Sequence, residues 1–416
     1  MELKTLSQSL LFRIVVAIIL GIGCSFFFPA ELARVFVTFN ELFGNFLKFF
    51  IPVLIFALIT PAIAGIGKGA GKWLAITTGI AYTSTIFAGL MAYVAANAVY
   101  PSLLEGEEVM KASDIDAGAL GPYFTIEMPP PMGVMTALLL AFCIGVAMTA
   151  VKSDTLYAGM RDLERVIMRV ISKFVIPLLP LFIFGVFLSM GMNGNLRATL
   201  EQFAKVLVLA IVLTVVLLLI QFFVAGALSG KNPFTSLKNM MPAYATALGT
   251  SSSAATIPVT YACVKKNGVA PGVAGFTVPL CATTHLAGSM LKIGLFAFAI
   301  VYMDGIDVGP GKALGFILML GVTMVAAPGV PGGAIMAAVG LLSSMLGFSD
   351  DQVALMIAAY IAIDSFGTAC NVTGDGAIAL IVNKLTKGKI ERVAQEEGEN
   401  RIEIIEEDVQ ASGKVN

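Results

Sequence analysis

Asp364-Ser-Phe-Gly-Thr-Ala-Cys-Asn-Val-Thr-Gly-Asp375 is a polar interruption in an otherwise apolar stretch of membrane-spanning length. Asp364, Thr368, Asn371 and Asp375 stand at i, i+4, i+7 and i+11, so a helix carries them as one stripe about three turns long. A carboxylate at bilayer depth costs roughly 2.5–3.5 kcal/mol on insertion scales and normally faces a partner or a water-filled cavity. The stripe therefore predicts a solute or ion site inside a helical membrane protein.

The whole chain agrees with that setting. Its 416 residues are 57% hydrophobic and only 13% charged, where soluble domains are about a quarter charged; the mean hydropathy is +0.89. The net charge of -1 singles out no class of macromolecular partner, and no nucleic acid is expected. Five scattered cysteines and a single histidine argue for free thiols and against a disulfide framework or a zinc site.

Working outward, the apolar run Leu10 to Pro29 lacks a clear cleavage site and is followed by many others, so it reads as an uncleaved first helix. Further spans fall at about 41–65, 73–100, 132–151, 167–192 and 203–229. Lys4 and Arg13, Lys68 and Lys72, Lys152 with Arg161, Arg165 and Arg169, Lys231 and Lys238, and Lys265 and Lys266 occupy alternate loops. The positive-inside rule places these and both termini in the cytoplasm. The acidic segment Glu105 to Pro131 then lies outside, and 385–416 forms a charged cytoplasmic tail.

Beyond residue 230 ordinary spans no longer fit. Residues 232–264 contain Gly249-Thr-Ser-Ser-Ser-Ala-Ala-Thr-Ile-Pro258, and 313–346 contain Ala327-Pro-Gly-Val-Pro-Gly-Gly-Ala334. Each reads as two short helices joined by a tip. Irregular backbone at membrane depth is tolerated where it is buried in protein or lines a cavity. A Gly/Pro break alone is often a kink, and a Ser cluster often packs helices. Two breaks in matching positions, each followed by a full span (268–303 and 349–384), instead predict inverted repeats of re-entrant hairpins with a site between their tips.

The serine-rich tip Ser251-Ser-Ser-Ala-Ala-Thr-Ile-Pro-Val-Thr260, the second tip Gly329-Val-Pro-Gly332 and Asn371-Val-Thr-Gly-Asp375 together resemble the dicarboxylate/amino acid:cation symporter family, over the chain up to about residue 390. The resemblance implies an all-α polytopic protein of eight transmembrane helices and two re-entrant hairpins. It also implies a homotrimer with an elevator movement. Residues 1–65 and helices 4 and 5 of 132–229 would form the scaffold; 73–100, helix 6, the hairpins, helix 7 and helix 8 would form the transport domain. It gives Asp364 the substrate ammonium, and Asn371 the substrate carboxylate with Ser289 and the Ser252-Ser253 tip; Val330, Gly367 and Thr368 complete the pocket. Asp375, the carbonyls near Cys281 and His285, and Asn371 resemble one sodium site; Thr283 with the backbone of Met324, Val325 and Ala327 resembles a second. Thr83 and Ser84 resemble the hydroxyl ligands of a third.

Two departures qualify the resemblance. Gly367 stands where acidic-substrate transporters carry arginine, and Ser251 and Tyr360 stand at other arginine positions. Without a cation a buried second carboxylate would be uncompensated. Small neutral amino acids such as serine, threonine or alanine are therefore expected, provided that no distant lysine swings in. The alternative is a symporter of acidic amino acids or C4-dicarboxylates. In addition, His285-Leu-Ala-Gly-Ser289 replaces the family's Asn-Met-Asp-Gly-Thr, so Ala287 removes a sodium-site carboxylate. His285 and Lys292, on one face, become candidate coupling groups, with sodium or a proton as the ion. The null is that the histidine is hydrogen-bonded structure and the lysine is paired or snorkelling. No nucleophile and base accompany one another, which disfavours an enzyme, and the closed tips disfavour a channel. The expected location is a bacterial cytoplasmic membrane.

Overall fold

The computed structural model describes residues 10–66, 71–104, 120–151, 154–192, 196–325, 327 and 331–387. Most of the acidic segment, the tip residue Val330 and the tail beyond 387 lie outside the described residues.

Among the described residues the regular structure is helical: α1 (Leu10–Ser25), α2 (Ala30–Ile66), α3 (Gly71–Leu103), α4 (Val134–Ala150), α5 (Asp154–Val170) continued through a π turn into α6 (Ile176–Met192), and α7 (Leu196–Ser229). Then follow α8 (Pro233–Thr250), α9 (Ser253–Lys266), α10 (Pro271–Thr284), α11 (Ala287–Met303), α12 (Pro310–Val325), α13 (Gly333–Leu341), α14 (Asp350–Ala362) and α15 (Asp364–Leu385).

Among the described residues five helical stretches are long and apolar enough to cross a bilayer: Ala30–Gly65, Lys72–Leu103, Asp154–Met192, Glu201–Ser229 and Pro271–Met303. The pair α14 and α15 makes a sixth if read as one span bent by 61°. Helices α1 and α4 are apolar but shorter. Ile19, Val94, Leu139, Val146, Val208 and Val212 face outward, which suits hydrocarbon better than water.

Both interrupted segments form helix pairs. The first starts where the Asn232 side chain accepts from the Thr235 amide at 3.0 Å, with Pro233 at the first helical position. It turns at Ser251, whose φ of 49° ends α8 in the left-handed region, and Ser252 caps α9. In the second, Gly332 precedes α13 with a φ of 73°, a left-handed conformation that favours glycine.

Helix α1 packs along α6, and α2 along α4, α5 and α6. Helix α3 packs against α11 and α12, and α15 is surrounded by α7, α8, α9, α10 and α11. Contacts between these groups run mainly through α13 against α2 and through α14 against α1 and α6, with smaller ones of α12 on α2 and of α7 on α6. The polar stripe thus sits on a helix shielded by other helices.

Candidate functional site

Polar backbone is concentrated where helices break. Helix α10 ends at Thr284 and α11 begins at Ala287, while α14 ends at Ala362 and α15 begins at Asp364. At the first break the opening amides of α11 reach across to α15: Gly288 and Ser289 N–H donate to Asn371 Oδ1 at 2.7 and 3.3 Å. Gly288 has no room for a side chain, because a Cβ there would lie 2.6 Å from the Gly367 carbonyl oxygen and 2.7 Å from Cys370 Cβ. Asn371 Nδ2 in turn donates to Ser289 Oγ at 3.1 Å, and the Tyr360 hydroxyl donates to the same oxygen at 2.9 Å. An amide nitrogen has two hydrogens, so one remains for a ligand carboxylate.

Asp364 opens α15, and both its oxygens are engaged. Oδ2 accepts from the Gly332 amide at 2.8 Å, which lays the end of the second tip on the carboxylate. Oδ1 lies 3.5 Å from Lys292 Nζ, with side-chain exposures of 8% and 0%. The same ammonium donates to the carbonyl oxygens of Ile363 at 3.1 Å and Asp364 at 3.4 Å, and lies 3.9 Å from the Tyr360 ring centroid. A Cβ at Gly367 would collide with Lys292 Cε and Nζ. Lys292 thus reaches the pocket from α11, so the reading of substrate charge turns on whether its ammonium is free for a ligand. Asp304 and Asp307 are not its partners among the described contacts; Asp304 instead accepts from Gln352.

The second carboxylate is paired too. His285 Nδ1 lies 2.9 Å from Asp375 Oδ1, and an ionised carboxylate there would accept from an Nδ1 proton. Its Nε2 lies 3.1 Å from Ser84 Oγ, which accepts from Gln221 Nε2 at 3.0 Å. Gln221, Ser84, His285 and Asp375 thus form a polar chain across α7, α3, the α10–α11 break and α15, half-buried at Gln221 and Ser84 and buried at His285 and Asp375. Gln221 was missed in the sequence, where the only signal is a lone amide in the apolar helix 203–229.

Other expected residues fall as follows. Thr368 is buried on the stripe. Ser252 Oγ accepts from the Ala255 amide at 3.3 Å, and Ser253 opens α9. Thr83 donates back to Gly79 O at 2.8 Å within its own helix, whereas Ser84 reaches His285. The Cys281 carbonyl accepts from the His285 amide at 2.9 Å, Thr283 Oγ1 donates to Leu280 O at 3.0 Å, and Met324 O accepts from Ala327 N at 3.2 Å. Val325 ends α12. Asn371 Oδ1 is turned to the start of α11. His285, which follows the end of α10, holds the Asp375 carboxylate at that helix end, and carboxylate and carbonyl oxygens are the ligand type that suits sodium.

The family model described as "Sodium:dicarboxylate symporter family" matches residues 10–385. The serine/threonine transporter SstT of Acinetobacter baumannii (strain AYE) is 29% identical over 382 residues, covering 88% of this chain and 94% of that protein. Excitatory amino acid transporter 1 of Rattus norvegicus is 30% identical over 248 residues, covering 58% of this chain and 45% of that protein.

Proposed function

We propose that this chain, which belongs to the sodium:dicarboxylate symporter family, carries out sodium-coupled symport of an amino acid, and that the amino acid is small and neutral, such as serine, threonine or alanine. The observation that carries the substrate charge is how Lys292 is used: its three N–H groups are matched by Ile363 O, Asp364 O and Asp364 Oδ1. The cation beside Gly367 is therefore spent on protein oxygens, and a second substrate carboxylate would be buried uncompensated. A zwitterion instead brings its own balance. Its carboxylate would meet the Asn371 amide, Ser289 and the amides of the first tip, where helix N-termini favour anions. Its ammonium would take the Asp364 oxygen that Gly332 now holds, so the second tip has to lift for entry. Thr368 and Val330 would line the side-chain end.

Sodium is expected at Asp375 with the carbonyl end of α10 and at Thr283 with Met324, Val325 and Ala327; a part in coupling is proposed for Ser84 and His285 from their link to Asp375, for Lys292 from its pairing with Asp364, and for Thr83 as the neighbour of Ser84. The packing of α1, α2, α4, α5 and α6 on one another, apart from the helices around α15, supports a scaffold and a moving transport domain. A homotrimer in a bacterial cytoplasmic membrane with cytoplasmic termini is the assembly that goes with this reading.

A specific observation favours a second reading: Lys292 and Asp364 restore the charge pair that an arginine would supply, which suits an acidic amino acid or C4-dicarboxylate if the ammonium leaves its backbone acceptors. Calorimetry on purified protein separates the two. Serine bound more tightly than aspartate supports the first; aspartate or succinate bound more tightly supports the second.

A further inference from the structure

We infer that the Lys292 ammonium is a tethered counter-cation for Asp364, occupying in the substrate-free protein a place that would otherwise take a free monovalent cation. The surroundings of Nζ are those of a cation site: two backbone carbonyls, one carboxylate oxygen and an aromatic face. The carbonyls belong to the residues at which α14 gives way to α15, and Ile363 O is shared between the ammonium and the Phe366 and Gly367 amides, which reach it at 3.1 and 3.4 Å. Lys292 is fully buried, so its ammonium does not snorkel to water. Gly367 is the complementary half of the arrangement, since any side chain there would displace the lysine stem.

The contacts of 3.1 to 3.5 Å are longer than the usual charge-assisted bond of about 2.7–2.9 Å. Attraction over this range still compensates Asp364, while leaving the carboxylate able to accept a further donor, as it does from Gly332. The site therefore never holds a naked buried carboxylate, whether or not an amino acid is bound. The inference rests on the functional reading only for its consequence, because it concerns the protein without substrate.

The test compares thermal denaturation midpoints of the full-length protein in detergent, without substrate, in potassium chloride and in choline chloride of equal ionic strength. The wild type is expected to melt alike in both. Lys292→Met exposes the carbonyl and carboxylate oxygens to the medium ion, and potassium should raise its midpoint by about 2 °C or more over choline. The double variant Lys292→Met/Asp364→Asn should lose that response. It should also be recovered as folded protein even if Lys292→Met alone is not, since neither charge is then left alone. Lys292→Met as stable as wild type and indifferent to potassium, an equal potassium response in the wild type, or a double variant that fails to fold would each overturn the inference. Failure here would leave neutral amino acid transport standing, and a protein that did not carry serine could still show the potassium response.

Discussion

Asp364 and Lys292 hold the two buried charges on which the substrate reading turns. Asp364→Asn should abolish amino acid binding by calorimetry, because the ammonium loses its one nearby carboxylate; retained serine affinity would place the ammonium elsewhere. Gly367→Ala tests the packing: overpacking costs typically 1–3 kcal/mol, and the new methyl would meet Lys292 directly. The loss of stability should shrink in a Lys292→Met background, and equal losses in both backgrounds would remove the proposed dependence of Gly367 on the lysine. Asp375→Asn should sharply reduce sodium stimulation of uptake while the protein still folds; wild-type sodium dependence would relocate the coupling site. At this scale the stripe was legible because a fixed helical period links Asp364 to Asp375. The partners were not, because 72 residues separate Lys292 from Asp364 and 90 separate His285 from Asp375, and no spacing rule crosses that distance.

The hairpins carry the next prediction. In a cysteine-free background, Ser252→Cys and Pro331→Cys at the two tips should be modified by membrane-impermeant reagents from opposite sides, in different transport states. Modification of both from one side only, in every condition, would count against inverted repeats. These elements were legible because glycine, proline and serine interrupt apolar runs too short to cross twice. The bend at Ile363 was not, since Tyr360-Ile-Ala-Ile-Asp364 contains neither glycine nor proline; there a lysine on another helix donates to the Ile363 and Asp364 carbonyls, the first of which also accepts from the Phe366 and Gly367 amides. The fifth span was placed at 167 but its helix begins at Asp154, because Asp154–Val170 is charged enough to escape a hydropathy reading. The second begins at Ala30 rather than 41 for the related reason that its first turns mix Glu31, Arg34 and Asn40 with apolar residues.

Across the whole molecule, the helices around α15 enclose the site, and α13 and α14 connect them to α1, α2 and α6. Lys48 and Asp350 join the two groups by an ion pair of 2.7 Å between partly exposed side chains. Exposed pairs are worth about 0–1 kcal/mol, so this contact does not lock the groups together. An elevator movement requires that kind of breakable contact, and the trimer that would anchor the scaffold should appear as a threefold mass on native mass spectrometry. The most direct test is uptake into liposomes by purified protein, with serine, threonine, alanine, aspartate and succinate each supplied under an inward sodium gradient and again without one. Accumulation of the neutral amino acids only with the gradient, and little of the acidic solutes, is the expected result. Concentrative uptake of aspartate or succinate in preference to serine, or serine uptake indifferent to sodium, would contradict it.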